Sequence, residues 1–195
     1  YALLPARDVA GRRVRYKKDA VWIGQTPPAV TFPALTVRAG QGGAGTRELA
    51  AFELSAETYA MLLGAYLSEG NLVDQPKTGD YGIDITQVKS PNRTRLLAEL
   101  ARRGVAYCEH SRGTKVRIYS KQLLEHFRQF GHAQEKHIPS EMFAWARETL
   151  WVLFDWLMWG DGHAKGGRPV SYTTTSPRLA DDVQRLCLHL GYAAN

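Results

Sequence analysis

Leu62-Leu63-Gly64-Ala65-Tyr66-Leu67-Ser68-Glu69-Gly70 and Phe154-Asp155-Trp156-Leu157-Met158-Trp159-Gly160-Asp161-Gly162 repeat one pattern. Each is an apolar helix of about three turns closed by an acid and a glycine. A helix that is apolar on nearly every face must be buried on every side. Gly64, Ser68 and Gly160, at helical spacing, permit close approach of an equivalent helix. The two copies are therefore expected to pack on each other, with Glu69 and Asp161 side by side at helix C-termini, where the dipole favours a cation. Two like charges brought together need a metal or a shared proton. Carboxylates without a His/Cys cluster suit a divalent, oxygen-liganded ion, magnesium first.

The repeat extends outward. Ser90-Pro91 opens a helix that Gly104 stops, and Ser176-Pro177 opens one that Gly191 stops. The offsets between copies are 92 and 86 residues. Such duplication predicts two similar halves across a pseudo-twofold axis. Ser55 caps a helix over residues 57–68, and Ser120 opens another that Gly131 stops. Residues 81–89 read as a strand, and residues 105–120 as a hairpin turning at Arg112-Gly113. The second copy has no room for its own hairpin and last helix before Asn195, so the sequence is expected to stop inside its second half. Residues 1–54, rich in Pro, Gly and basic side chains, predict short strands followed by a flexible joint at residues 39–45.

The chain has 195 residues, 44% of them hydrophobic, enough for a packed core. Its longest apolar stretches, residues 59–67 and 150–159, fall short of the roughly 20 residues that cross a bilayer. The expectation is a soluble, cytoplasmic protein without a membrane partner. Cys108 and Cys187 lack CxxC or Cys/His spacing and read as buried free thiols. The net charge of +6 favours a polyanionic partner. Residues 1–47 carry eight basic side chains (Arg7, Arg12, Arg13, Arg15, Lys17, Lys18, Arg38, Arg47) against two acids, and the remainder is balanced. Within that remainder, residues 89–117 form a second basic zone.

Two signature helices in one chain, the linker Glu135-Lys136-His137-Ile138-Pro139-Ser140 ahead of the second, the strand Ile85-Thr86-Gln87 and the Ser-Pro helix repeat resemble the LAGLIDADG homing endonucleases. The likeness is greatest to the intein-encoded, single-chain DOD type. The resemblance covers roughly residues 55–195. It implies an α/β (α+β) fold of two pseudo-symmetric αββαββα halves, residues 55–135 and 136–195, whose antiparallel sheets form a DNA-binding saddle. Residues 1–54 would be a basic DNA-binding arm or the remnant of an intein splicing domain. The implied activity is site-specific cleavage of double-stranded DNA at a long asymmetric target by a monomer, in a nucleoid setting. Glu69 and Asp161 would bind Mg2+, with Mn2+ as a substitute. Lys136, 25 residues before Asp161, would polarise a water or offset charge at one phosphate, and Gln87 would orient solvent.

For DNA contact, alternation places Val116 and Ile118 on one face of a strand and Lys115, Arg117 and Tyr119 on the other, the face assigned to the groove. Lys89, Arg93 and Arg112 are expected at phosphates. His163, Lys165, Arg168 and Tyr172 occupy the matching region of the second copy. Trp156 departs from the family pattern, which prefers a small residue opposite Gly64, so the helix spacing is in question. Asp155 reads as an exposed or salt-bridged acid, and Trp145, Trp151, Trp156 and Trp159 as core or interface residues. Two other readings share this residue pattern: a DNA-binding regulator that has lost cleavage, and an RNA-splicing maturase.

Overall fold

The structure, a computed structural model, describes residues 6–12, 21–38 and 45–192; Arg13, Arg15, Lys17 and Lys18 of the basic arm lie outside them. A short α1 (Ala6–Val9) comes first. Two two-stranded antiparallel sheets follow, β1 (Ala29–Phe32) pairing β4 (Phe52–Ser55) and, between them in the chain, β2 (Leu35–Arg38) pairing β3 (Thr46–Leu49). The chain continues through α2 (Ala56–Glu69), β5 (Gly70–Gln75), β6 (Asp80–Thr86), α3 (Ser90–Arg102), β7 (Cys108–His110), β8 (Lys115–Tyr119) and α4 (Lys121–Phe127). The order then restarts with α5 (Arg147–Asp161), β9 (Gly162–Lys165), β10 (Arg168–Tyr172) and α6 (Pro177–Leu190). This is the mixed α/β architecture with antiparallel sheets that the sequence predicts.

Helix starts follow the serines. Ser55, Ser120 and Ser176 accept hydrogen bonds from the backbone N–H of Thr58, Leu123 and Leu179, each satisfying one of the donors a helix start leaves unpaired. Ser90 differs: it is the first helical residue, and Lys89 holds the cap position without a side-chain bond. Gly191 ends α6 in the left-handed region at φ 85°.

The first half carries a four-stranded sheet in the order β5-β6-β8-β7. Strand β5 is not among the expected elements. It offers only Leu72 and Val73 as adjacent apolar residues, too short a run for alternation, and pairing with β6 defines it. Ile83, Ile85, Val116 and Ile118 are buried on the face that α2 and α4 cover. The opposite face carries Asn71, Asp84 and Arg117 in register across β5, β6 and β8. Cys108 stands exposed on edge strand β7, contrary to the buried thiol expected there; Cys187 is buried. The edge position explains the difference, since among the described residues one side of β7 has no neighbouring strand.

The segment ahead of α2 is knit into both halves. Phe32 is fully buried in the common core, stacked 4.7 Å from Phe52 and edge-on at 5.0 Å from His126. Residues 21–28 reach the second half, where Trp22 Nε1 donates to the carbonyl of Trp145 (2.8 Å) and Gln25 N to that of Ala144 (2.8 Å). Helix α5 has no capping side chain of its own. Thr26 fills that role from a distance: its hydroxyl accepts from Ala146 N (2.9 Å) and donates to Thr149 Oγ1 (3.0 Å). Thr26→Ala should therefore cost about 1 kcal/mol, the usual loss for a capping hydroxyl, measured by urea unfolding.

His126 sits among Phe32, Tyr59, Phe127 and Phe130, its Nε2 3.0 Å from the Tyr59 hydroxyl. Burial holds its proton affinity below the ordinary value of 6.5, against the opposing pull of Glu141. The unfolded chain then binds the proton more readily, so stability present above pH 6.5 is lost as the pH falls below it, by up to about 1.4 kcal/mol per pH unit for one such group. Unfolding midpoints taken at pH 7.5 and 5.5 should show this loss, and His126→Gln should reduce it.

Candidate nucleic-acid cleavage site

The site is made by the packing of α2 along α5. A Cβ placed on Gly64 would lie 2.7 Å from Trp156 Cβ and 2.8 Å from the Leu153 carbonyl oxygen; one on Gly160 would lie 2.3 Å from Ser68 Cβ and 3.0 Å from Glu69 Cγ. Both glycines are required by contact. Trp156 does stand opposite Gly64. Its indole lies beneath the Arg95 guanidinium (4.7 Å to the ring centre) and against Trp159 (5.1 Å), so the seam has to accommodate only its Cβ. Asp155 pairs with Arg95, as a surface acid should. Ser68 adds a cross-helix hydrogen bond to the Leu157 carbonyl (3.0 Å).

Glu69 and Asp161, the last residues of the two helices, converge at the end of this seam. Burial raises the proton affinity of Glu69, and the charge of Asp161 raises it further, while Lys89 and Lys136 pull it down. Burial likewise raises Asp161, opposed by Lys136 and Lys89. The cluster thus contains two strained anions and two cations.

Lys136 is 7% exposed. Its Nζ donates to the carbonyls of Tyr66 (2.7 Å) and Gly70 (2.9 Å), the two ends of the last turn of α2, and lies over the Tyr66 ring. Burial pushes its pKa down to about 8, against the pull of Asp161 and Glu69. Two of its three N–H donors are used by the helix end, leaving one.

Gln87 is buried just beyond β6. Its N donates to the Thr114 carbonyl (2.9 Å), its Oε1 accepts from Lys89 N (3.0 Å), and its Nε2 has no partner among the described residues. It makes no hydrogen bond there to either acid. Tyr172 is placed beside the acids: its hydroxyl is buried without a hydrogen-bond partner in good geometry, and burial raises its proton affinity, opposed by nearby Ser68 and reinforced by the charges of Asp161 and Glu69. That position shows no sequence signal beyond strand alternation.

The remaining basic candidates divide into two groups. Arg93 pairs with Glu109, and Arg117 is bound by Asp84 through Nε (2.7 Å) and Nη2 (3.0 Å) and approaches Asp80 at 3.2 Å. Arg112, in the left-handed turn at φ 56°, and Lys115, opposite Thr86 and His110, form no ion pair among the described residues. His163, Lys165 and Arg168 are exposed on the β9–β10 hairpin.

Among the described residues no group of three or more His, Cys, Asp or Glu side chains could hold a metal ion. Two carboxylates still fit magnesium, which keeps several waters and is held by one or two carboxylates plus substrate phosphates.

Residues 156–195 match the family described as LAGLIDADG-like domain. The segment includes Asp161, β9–β10 and α6. The chain is also 26% identical, over 204 aligned residues, to the ATP-dependent Clp protease proteolytic subunit of Chlamydomonas moewusii, an alignment covering 98% of this chain and 20% of that protein. It thus spans about a fifth of the length of that relative. Residues 156–195 are thus similar to a LAGLIDADG-like domain, and the antiparallel α/β architecture is consistent with that likeness.

Proposed function

We propose that the protein is a site-specific double-strand DNA endonuclease of the homing type. The observation that supports it most directly is the acid pair at the end of the α2–α5 seam, raised in proton affinity and faced by Lys136 and Lys89. Glu69 and Asp161 would hold Mg2+, or Mn2+ in its place, each serving one strand of the duplex. When bound, the metal polarises a phosphoryl oxygen and makes water a better nucleophile. Lys136, charged below a pH of about 8, offsets the negative charge that develops at the phosphate on its side.

Exposed Lys89, Arg112, His163, Lys165 and Arg168, with the half-buried Lys115, would track the phosphates and groove of a long asymmetric site, bound by one chain through its internal pseudo-symmetry. Among the described residues no helix is long and apolar enough to cross a membrane. An intein-embedded origin accords with the likeness to a fifth of a much longer protein named for a different activity.

The test is incubation with Mg2+ and a randomised duplex library, followed by sequencing of the ends produced. Defined double-strand ends are expected. Duplex binding without ends would replace this reading with a regulator, and selective retention of structured RNA with a maturase.

A further inference from the structure

Lys136 lies on a linker between α4 and α5, outside any helix or strand, yet it is buried and sharply placed. Its backbone N donates to the His132 carbonyl (3.0 Å), and the chain on its carbonyl side is held from α6 and its cap. The Lys136 carbonyl accepts a 2.7 Å hydrogen bond from Ser176 Oγ, and two residues on, Ile138 N donates to Asp182 Oδ2 at 2.9 Å. Neither bond is needed for α6 itself. Capping uses Ser176 only as an acceptor, from Leu179 N (3.1 Å), which leaves the hydroxyl proton free for the linker. Asp182 lies beyond the first turn of α6, too far along to cap it. Ser176 is 1% exposed, so its donor cannot be satisfied by solvent instead.

The linker is therefore gripped on both sides of His137 by the second half, while the amine ends beneath the last turn of α2 in the first half. We infer that Ser176 and Asp182 are positioning residues that set the Lys136 amine beside the acid pair, so that the site at the end of α2 and α5 is completed by a linker held from α6 and its cap. This rests on the nuclease reading for its consequence in catalysis, but not for its geometry. A shift of about 1 Å in a positioned group can cost about 100-fold in rate.

Two measurements test it. In the metal-free protein, reductive methylation of Lys136, followed by mass spectrometry, should be slow. Ser176→Ala or Asp182→Ala should accelerate it about tenfold or more, while Asp182→Asn, which keeps an acceptor oxygen, should leave it near the parental rate. Lys121 on α4, held by Asp74 and Glu125, serves as the internal reference. Unchanged Lys136 methylation in both alanine variants overturns the inference, as does equal acceleration at Lys121, which marks general loosening.

For cleavage, each alanine variant should lower kcat about 10- to 100-fold with little change in KM, and should have no further effect in a Lys136→Met background. Additive loss in that background also overturns it. Absence of cleavage in the parental protein would refute the nuclease reading and leave the methylation result to decide the positioning.

Discussion

Glu69→Gln and Asp161→Asn should each abolish double-strand cleavage, by at least about 1,000-fold or about 4 kcal/mol of transition-state stabilisation, while duplex binding persists. The physical reason lies in the price of the acid pair. Burial raises the proton affinity of both carboxylates, and the charge of Asp161 raises that of Glu69 further, so each resists the anionic form. An amide of the same shape removes that repulsion. The metal-free variants should therefore melt no lower than the parent, and they should bind duplex DNA at least as tightly, because one negative charge facing the phosphates is gone. Mg2+ should raise the melting temperature of the parent more than that of either variant. Quantified ends from a cleaved duplex, with melting curves, check all of this. Parental cleavage by either variant would refute the two-acid site.

Arg117→Ala should destabilise the fold by about 3–5 kcal/mol, the usual cost of leaving a buried charge without its partner. Asp84 is 1% exposed at the centre of the sheet, and Arg117 supplies both of its close hydrogen bonds. Truncating the arginine strands a carboxylate in the interior. Replacing the pair together, Asp84→Leu with Arg117→Met, should recover most of the loss, since a well-packed apolar pair is often neutral or better. Chemical unfolding of the single and double variants measures the difference. Arg112→Ala and Lys115→Ala should behave otherwise, with stability within about 0.5 kcal/mol of the parent and a salt slope of DNA binding reduced by about one each.

This contrast shows why the basic zone at residues 89–117 was only partly legible. In sequence it holds eight cations against two acids. In three dimensions Asp80, Asp84 and Asp155 join Glu99 and Glu109 from neighbouring elements and neutralise Arg93, Arg95, Arg102, Arg103 and Arg117. Lys89, Arg112 and Lys115 keep an outward role. Charge counted along a chain omits partners that strand pairing and helix packing bring in, and those partners are set by register, which is a long-range property.

Elements whose signals are local were legible in the amino-acid order alone. Hydroxyl caps at Ser55, Ser120 and Ser176, the glycine stop at Gly191, and two apolar acid-Gly helices carried enough information within a few residues to specify α2, α4, α5 and α6 and the meeting of Glu69 with Asp161. Packing was needed to reveal β5, which pairs with the next strand β6 but has too short an apolar run to alternate; the capping of α5 by Thr26, 120 residues away; the burial of the Tyr172 hydroxyl beside the acids; and the grip of α6 on the Lys136 linker. The last three depend on partners distant in sequence, and a single hydrogen bond between distant residues leaves no periodic trace at either end.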